Sequence, residues 1–114
     1  MPLTIIRRDD ELTHVALSGQ LDAQGVIDVE AEFHQAVDER HRSAVVDLSA
    51  VGFVMSAGLN MLTLAAANLK HEGKKLVLLS PQPLVRKALH NVALNKLTPI
   101  ADTLDEALAL LEPL

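Results

Sequence analysis

Hydrophobic and polar residues alternate near the start of the chain with the two-residue period of a strand that has one covered face. The alternation runs through residues 14–19, and residues 3–8 precede it as a second candidate strand. The polar run 9–11 between them favours a turn, so the two segments are predicted to pair as antiparallel strands. Residues 19–22 are then predicted to leave the sheet.

Two later segments, 44–48 and 75–79, are short and largely apolar, which is typical of inner strands buried on both sides. A third segment, 98–101, contains Pro99. Because proline has no backbone N–H to donate to a ladder, this segment is predicted to be a brief edge strand. Residues 51–55 are predicted to form a short apolar loop.

Four segments show the three- to four-residue period of helices that bury one stripe of apolar side chains. These predicted helices are 24–40, 56–72, 80–92 and 103–111. The helix at 56–72 is apolar around most of its axis, which predicts that it is largely buried. The last helix begins with the spacing of a capping box, a threonine followed three residues later by a glutamate.

The order of these elements is strand, strand, helix, and then strand and helix repeated. Such an order predicts an α/β fold: a single mixed β-sheet with parallel inner strands and about four packed helices. No internal repeat, low-complexity segment or linker interrupts the 114 residues. The whole of 1–114 is therefore predicted to be a single domain, which is a usual domain size.

Composition narrows the classes of partner. The formal net charge is −5, from 10 Lys and Arg against 15 Asp and Glu, and the only aromatic residues are two Phe. Both features disfavour binding to nucleic acid or to an anionic membrane. No apolar stretch approaches the roughly 20 residues of a membrane span, and no segment resembles a targeting signal. The sequence predicts a cytoplasmic protein without direct membrane insertion.

Catalytic and cofactor-binding patterns are weak in this sequence. The five histidines show no metal-ligand spacing, and the glycines form no nucleotide-binding loop. Ser56 follows a predicted strand and starts a helix, as a hydrolase nucleophile does, but Val54 stands where that motif has glycine. We therefore expect no enzyme activity, no cofactor and no metal ion, with an esterase that uses Ser56 as a minor alternative.

Ser56 allows two interpretations because it is predicted to start a helix. Serine is a preferred N-cap, since its hydroxyl oxygen accepts a backbone N–H from the first turn. Alternatively, a phosphate on Ser56 would lie at the positive end of the helix and add about two negative charges. A partner that docks apolar side chains onto Val54, Met55 and Leu59 would then be expelled. This second interpretation is a switch that needs no catalytic residue of its own.

Four segments spread over nearly the whole chain carry a resemblance to a known family. They are Gly19-Gln20-Leu21-Asp22, residues 45–53, Ser56-Ala57-Gly58-Leu59 and Gly73-Lys74-Lys75-Leu76. In this order and spacing they resemble the STAS domain family, which includes bacterial anti-sigma factor antagonists and the cytoplasmic domains of sulfate transporters. Each segment is a weak signal alone, but the four together on the predicted element order are fairly specific.

The resemblance implies a non-enzymatic protein-binding module that regulates transcription by docking an anti-sigma factor with serine kinase activity. In the family's antagonists, the serine that matches Ser56 is phosphorylated, and only the unphosphorylated form binds the kinase. The aspartate that matches Asp22 belongs to the binding surface. On this basis Ser56 is the candidate phosphoacceptor. The predicted partner-binding residues are Asp22, Val54, Met55, Ser56, Gly58 and Leu59.

The sequence also supports other interpretations. The family usually has an aspartate where this chain has Met55, which favours docking without phosphorylation. The chain would then be a STAS subunit of a lipid-transport ATPase complex or of a stress-signalling scaffold. Asp22 is equally explained as a cap or turn residue before the helix that follows it. The apolar segment 56–69 could line a pocket for a small ligand or lipid, although core packing explains it more simply. A homodimer stays an alternative to a monomer.

Overall fold

The structure is a computed structural model that describes residues 2–37 and 40–111. Within these residues five strands form one sheet: β1 (Leu3–Arg8), β2 (Leu12–Leu21), β3 (Ser43–Val54), β4 (Leu76–Leu79) and β5 (Ile100–Ala101). Five helices accompany them: α1 (Ala23–Ala36), α2 (Ser56–His71), α3 (Pro83–Asn91), α4 (Leu94–Leu97) and α5 (Leu104–Leu111).

The strands lie across the sheet in chain order, with β1 antiparallel to β2 and all later neighbours parallel. Each parallel connection passes through a helix, and α1 to α4 pack into one large core with the strands. Val45 and Val77 point to the opposite face, where they contact Ala107 of α5. This arrangement confirms the predicted α/β fold with parallel inner strands. The predicted edge strand is also confirmed, since β5 lies at the edge of the sheet. None of the helices in the described part of the chain is both long enough and apolar enough to cross a bilayer.

Two strands are longer than the hydrophobic pattern predicts. The prediction that residues 19–22 leave the sheet was wrong, because Gly19, Gln20 and Leu21 still pair with β3. The prediction of a loop at 51–55 was also wrong, since β3 continues to Val54. Pairing between β2 and β3 continues through two register shifts, so tertiary contacts override the local turn signals of the glycines.

The first helix is shorter than predicted, ending at Ala36 instead of reaching Arg40. Val37 is fully buried, and the side chain of Arg40 binds residues at the turn between β1 and β2. Its guanidinium donates to the backbone oxygens of Asp9 and Leu12 and to the Thr13 hydroxyl. Two residues of the predicted helix, Asp38 and Glu39, lie outside the described part of the chain. The sequence pattern also missed α4, a single turn of four residues.

His14 is a buried polar residue in the middle of the sheet. It is 7% exposed, and its Nε2 atom has no hydrogen-bond partner among the residues that the structure describes. Burial lowers the pKa of His14 below its ordinary value of 6.5; the Asp47 carboxylate opposes this shift and the Arg7 guanidinium adds to it. The folded protein therefore holds His14 neutral at a pH where the unfolded chain already binds a proton.

The free energy of unfolding is expected to fall as the pH drops below about 6.5, because the unfolded state then binds more protons than the folded state. Urea unfolding at about pH 7.5 and about pH 5.5 measures this change. A His14→Gln variant keeps a polar group but cannot titrate there, so its stability should depend less on pH. An equal pH dependence for both proteins would contradict the assignment to His14.

Candidate functional site

The starts of two helices lie side by side at one edge of the sheet. Leu21 and Val54 are register partners at the ends of the parallel strands β2 and β3. The chain leaves the sheet directly after them, and the backbone N–H of Met55 donates to the Leu21 oxygen at 2.9 Å. Asp22 and Met55 are therefore the N-caps of two neighbouring helices, α1 and α2.

Asp22 stabilises the first turn of α1. Its Oδ1 atom accepts the backbone N–H of Gly25 at 2.8 Å, which satisfies one of the N–H groups that a helix start leaves unpaired. This contact confirms the structural interpretation of Asp22 as a cap. The residue is only half-buried, so its carboxylate also stays at the surface beside the start of α2.

The start of α2 has no such cap. Of the two interpretations of Ser56, the N-cap is wrong: Met55 holds that position in extended backbone, and its thioether makes no capping hydrogen bond. Ser56 is the first residue inside the helix and is exposed. The Ser56 hydroxyl makes no hydrogen bond to any part of the chain that the structure describes. The first turn of α2 thus presents unpaired backbone N–H groups and a free hydroxyl to solvent.

The predicted partner-binding residues divide into exposed and buried groups. Met55 is exposed and Leu59 is half-buried, so both reach the surface next to Ser56. Val54 and Gly58 are buried and lie beneath the residues that reach the surface, so their direct contact with a partner stays a prediction. We call the surface formed by Asp22, Met55, Ser56 and Leu59 the Asp22–Ser56 surface.

Apolar side chains that the sequence patterns did not single out lie close to this surface. Phe53, at the end of β3, faces α3 across a groove of about 240 Å³ that Leu84 and Lys87 also line. Leu84 of α3 is 59% exposed. β3 extends beyond the last residue that pairs with β4, and α3 covers that overhang. The overhang was not predicted from the local sequence, so neither was the groove.

Two glycines allow the helix starts to approach the strands closely. A Cβ atom on Gly25 would lie 1.9 Å from the backbone oxygen of Gln20. A Cβ atom on Gly58 would lie 2.7 Å from the Cβ of Leu21 and 2.8 Å from a methyl group of Val54. Glycine within a helix is unfavourable by itself, and this feature was the available sequence signal for Gly25.

The reactive group that this surface presents to solvent is the hydroxyl of Ser56. Among residues 2–37 and 40–111, no three His, Asp or Glu side chains converge as a metal site requires. The exposed Ser56 hydroxyl lies at the positive end of α2, where an added anion is favoured. Met55 beside it adds an apolar side chain that a partner can cover.

Comparisons with known proteins find chains with similar sequences and similar folds. The family described as "Mlab, STAS domain" matches residues 5–102. BtrV of Bordetella bronchiseptica, named as a putative anti-sigma factor antagonist, is 30% identical over 109 residues, covering 96% of this chain and 93% of BtrV. An anti-sigma factor antagonist from Mycobacterium paratuberculosis has a crystal structure with a TM-score of 0.80 and 29% identity, covering 96% of this chain and 93% of that one. The Bacillus cell fate determinant SpoIIAA in its phosphorylated form has a TM-score of 0.72 and 20% identity, covering 96% and 99%.

Proposed function

Because the chain belongs to the STAS domain family, we propose that it is a regulatory protein-binding module of the anti-sigma factor antagonist type. It docks an anti-sigma factor with serine kinase activity through the Asp22–Ser56 surface. Phosphorylation of Ser56 by that kinase ends the interaction. The proposal depends on one observation above all: Ser56 is exposed, and its hydroxyl is not engaged in capping α2.

The local electrostatics favour a phosphate at Ser56. The unpaired backbone N–H groups of the first turn of α2 would donate to the phosphate oxygens, and the helix dipole would stabilise the negative charge. A relative with this fold, the Bacillus protein SpoIIAA, has been solved in a phosphorylated form, which supports the proposal that the fold tolerates the group.

The same phosphate would oppose docking. A partner that covers Met55, Leu59 and the nearby Phe53 removes water from this surface. Removing water from about two negative charges is unfavourable unless the partner supplies matching cations. Docking and phosphorylation therefore exclude one another at this surface.

Ser56→Asp is expected to lower the affinity for the partner kinase by more than about tenfold, while Ser56→Ala keeps it. Isothermal titration calorimetry with a candidate anti-sigma factor kinase measures both affinities. Aspartate is well tolerated in the first turn of a helix, so Ser56→Asp should fold normally. Incubation of the parent protein with kinase and ATP should add one phosphate, which mass spectrometry should locate at Ser56 and not find in Ser56→Ala.

Gln35→Glu is the matched control, because it adds the same unit charge on the exposed surface near the far end of α1. Its affinity should equal that of the parent protein. If Ser56→Asp and Ser56→Ala bind equally well and no phosphate is added, the switch is wrong. The partner would then dock without modification, as expected for a subunit of a transport ATPase complex.

A further inference from the structure

A groove lined by three lysines lies at the end of α2 opposite Ser56. It has a volume of about 430 Å³ and is enclosed by the end of α2, the start of β4, and parts of α4 and α5. We call it the lysine groove, after its lining residues Lys70, Lys74 and Lys75. Lys70 and Ser56 are about 21 Å apart along the axis of α2. The lysine groove is therefore separate from the Asp22–Ser56 surface.

The charges that line this groove all have the same sign. Lys70, Lys74 and Lys75 are exposed, and no Asp or Glu of residues 2–37 and 40–111 lines the groove with them. None of the three forms an ion pair with a carboxylate that the structure describes. The one acidic residue between them in the chain, Glu72, contacts the ring of His41 instead. The groove is thus locally positive in a chain whose net charge is −5.

The end of α2 does not account for all three lysines. The helix dipole favours a cation such as Lys70 in the last turn, but Lys74 and Lys75 follow the helix. The Leu69 oxygen accepts the backbone N–H of Lys74 at 2.8 Å, and the Lys70 oxygen accepts that of Gly73 at 3.0 Å. These two carbonyl groups are therefore satisfied by the backbone, and the ammonium groups stay available to an external anion.

The floor of the lysine groove is apolar. Leu76 is buried, Leu97 is half-buried, and Leu110 of α5 is 40% exposed. The Nζ atom of Lys75 donates to the backbone oxygen of Leu110 at 3.2 Å, which holds this cation beside the apolar floor. A small inorganic anion would pair with the lysines but leave Leu110 uncovered. An occupant that matches both features has carboxylates and an apolar side chain, as an acidic protein segment does.

Other anionic occupants match the groove less well. A nucleic acid or an anionic membrane extends far beyond three cations and would meet the acidic remainder of this chain. A second copy would have to offer another part of its surface, because two lysine grooves repel each other. Such a head-to-tail contact forms rings or open filaments instead of a closed dimer. A segment of a different protein avoids these costs.

We propose that the lysine groove binds an acidic segment of a partner protein. Its carboxylates pair with Lys70, Lys74 and Lys75, and an apolar side chain of the segment packs on Leu110. This proposal does not rest on the proposed function, because it uses neither phosphorylation of Ser56 nor the surface around it. A partner held in this groove stays attached when the other end of α2 is modified.

The test uses a fluorescein-labelled peptide of leucine and glutamate with about eight residues, which spans about 26 Å when extended. Fluorescence anisotropy measures its binding to the full chain. Lys74→Glu is expected to weaken binding by more than about fivefold, since it replaces attraction by repulsion. Leu110→Gln is expected to weaken it by more than about threefold. Binding should also weaken as salt is added, because exposed charges are screened.

Two variants serve as matched controls. Lys87→Glu makes the same change of charge at an exposed lysine of α3 outside the lysine groove. Leu104→Gln changes a leucine of α5 that is 42% exposed, nearly the same as Leu110, but does not line the groove. Each should change binding by less than about twofold. Ser56→Asp should bind the peptide as the parent protein does, so failure here and failure of the proposed function are distinguishable.

The proposal is overturned if the peptide does not bind at about 1 mM, or if a peptide with lysine in place of glutamate binds equally well. Equal losses in Lys74→Glu and Lys87→Glu would show that the peptide responds only to net charge. Equal losses in Leu110→Gln and Leu104→Gln would remove the apolar floor from the site. Sedimentation equilibrium tests the remaining occupant: self-association of the parent protein that Lys74→Glu abolishes would identify a second copy and overturn the proposed partner.

Discussion

Replacing Gly25 by alanine is expected to destabilise the protein by more than about 3 kcal/mol, one of the larger effects of a single added methyl group. The added Cβ would lie 1.9 Å from the backbone oxygen of Gln20, so the start of α1 or the end of β2 must move. Helix propensity alone predicts the opposite sign, because alanine in a helix is about 1 kcal/mol better than glycine. Chemical denaturation of both proteins measures the free energy of unfolding. A lower value for Gly25→Ala shows that the collision outweighs the helix propensity.

Gly52→Ala is the control for this prediction. Gly52 lies in β3 and is exposed, and a Cβ atom there would have no neighbour within 4 Å. Alanine at this position should leave stability unchanged or raise it by less than about 1 kcal/mol through a less flexible unfolded chain. If Gly25→Ala were as stable as Gly52→Ala, the close packing of α1 on β2 would be disproved.

The parts of the fold that could be predicted are those that depend on local periodicity. The alternating part of β2 at residues 14–19 and the helices that begin at Ser56 and Leu104 follow directly from the spacing of apolar residues. The extensions of β2 and β3 could not be predicted in this way. They depend on pairing between distant segments, which allows glycine and serine to remain in a strand where local signals favour a turn.

The two residues at the helix starts were selected from the sequence, but their detailed packing was not predicted. Residue types and the family resemblance pointed to Asp22 and Ser56, and the register of β2 with β3 brings the two helix starts together. The same sequence reasoning treated Gly58 as a surface residue, because a motif does not distinguish contact from support. Only the depth of burial separates these roles, and burial depends on how α2 packs against the ends of two strands.

Gly58→Ala is therefore expected to destabilise the fold by about 1–3 kcal/mol and to weaken partner binding without removing any contact atom. The new Cβ would lie 2.8 Å from the backbone oxygen of Leu21, which cannot rotate away. The first turn of α2 must shift instead, and Ser56 moves with it relative to Asp22. Urea unfolding gives the stability change, and calorimetry with the partner kinase gives the change in affinity.

A double-mutant cycle shows whether the collision is the cause. A methyl group of Val54 lies 2.8 Å from the position that the new Cβ of residue 58 would occupy, so Val54→Ala removes one of the three close contacts. The double variant should be more stable than the sum of the two single changes predicts, since the smaller side chain makes room for the added methyl group. Part of the binding affinity should return with it. Strictly additive effects would mean that Val54 plays no part in the collision, and that Leu21 alone resists the added methyl group.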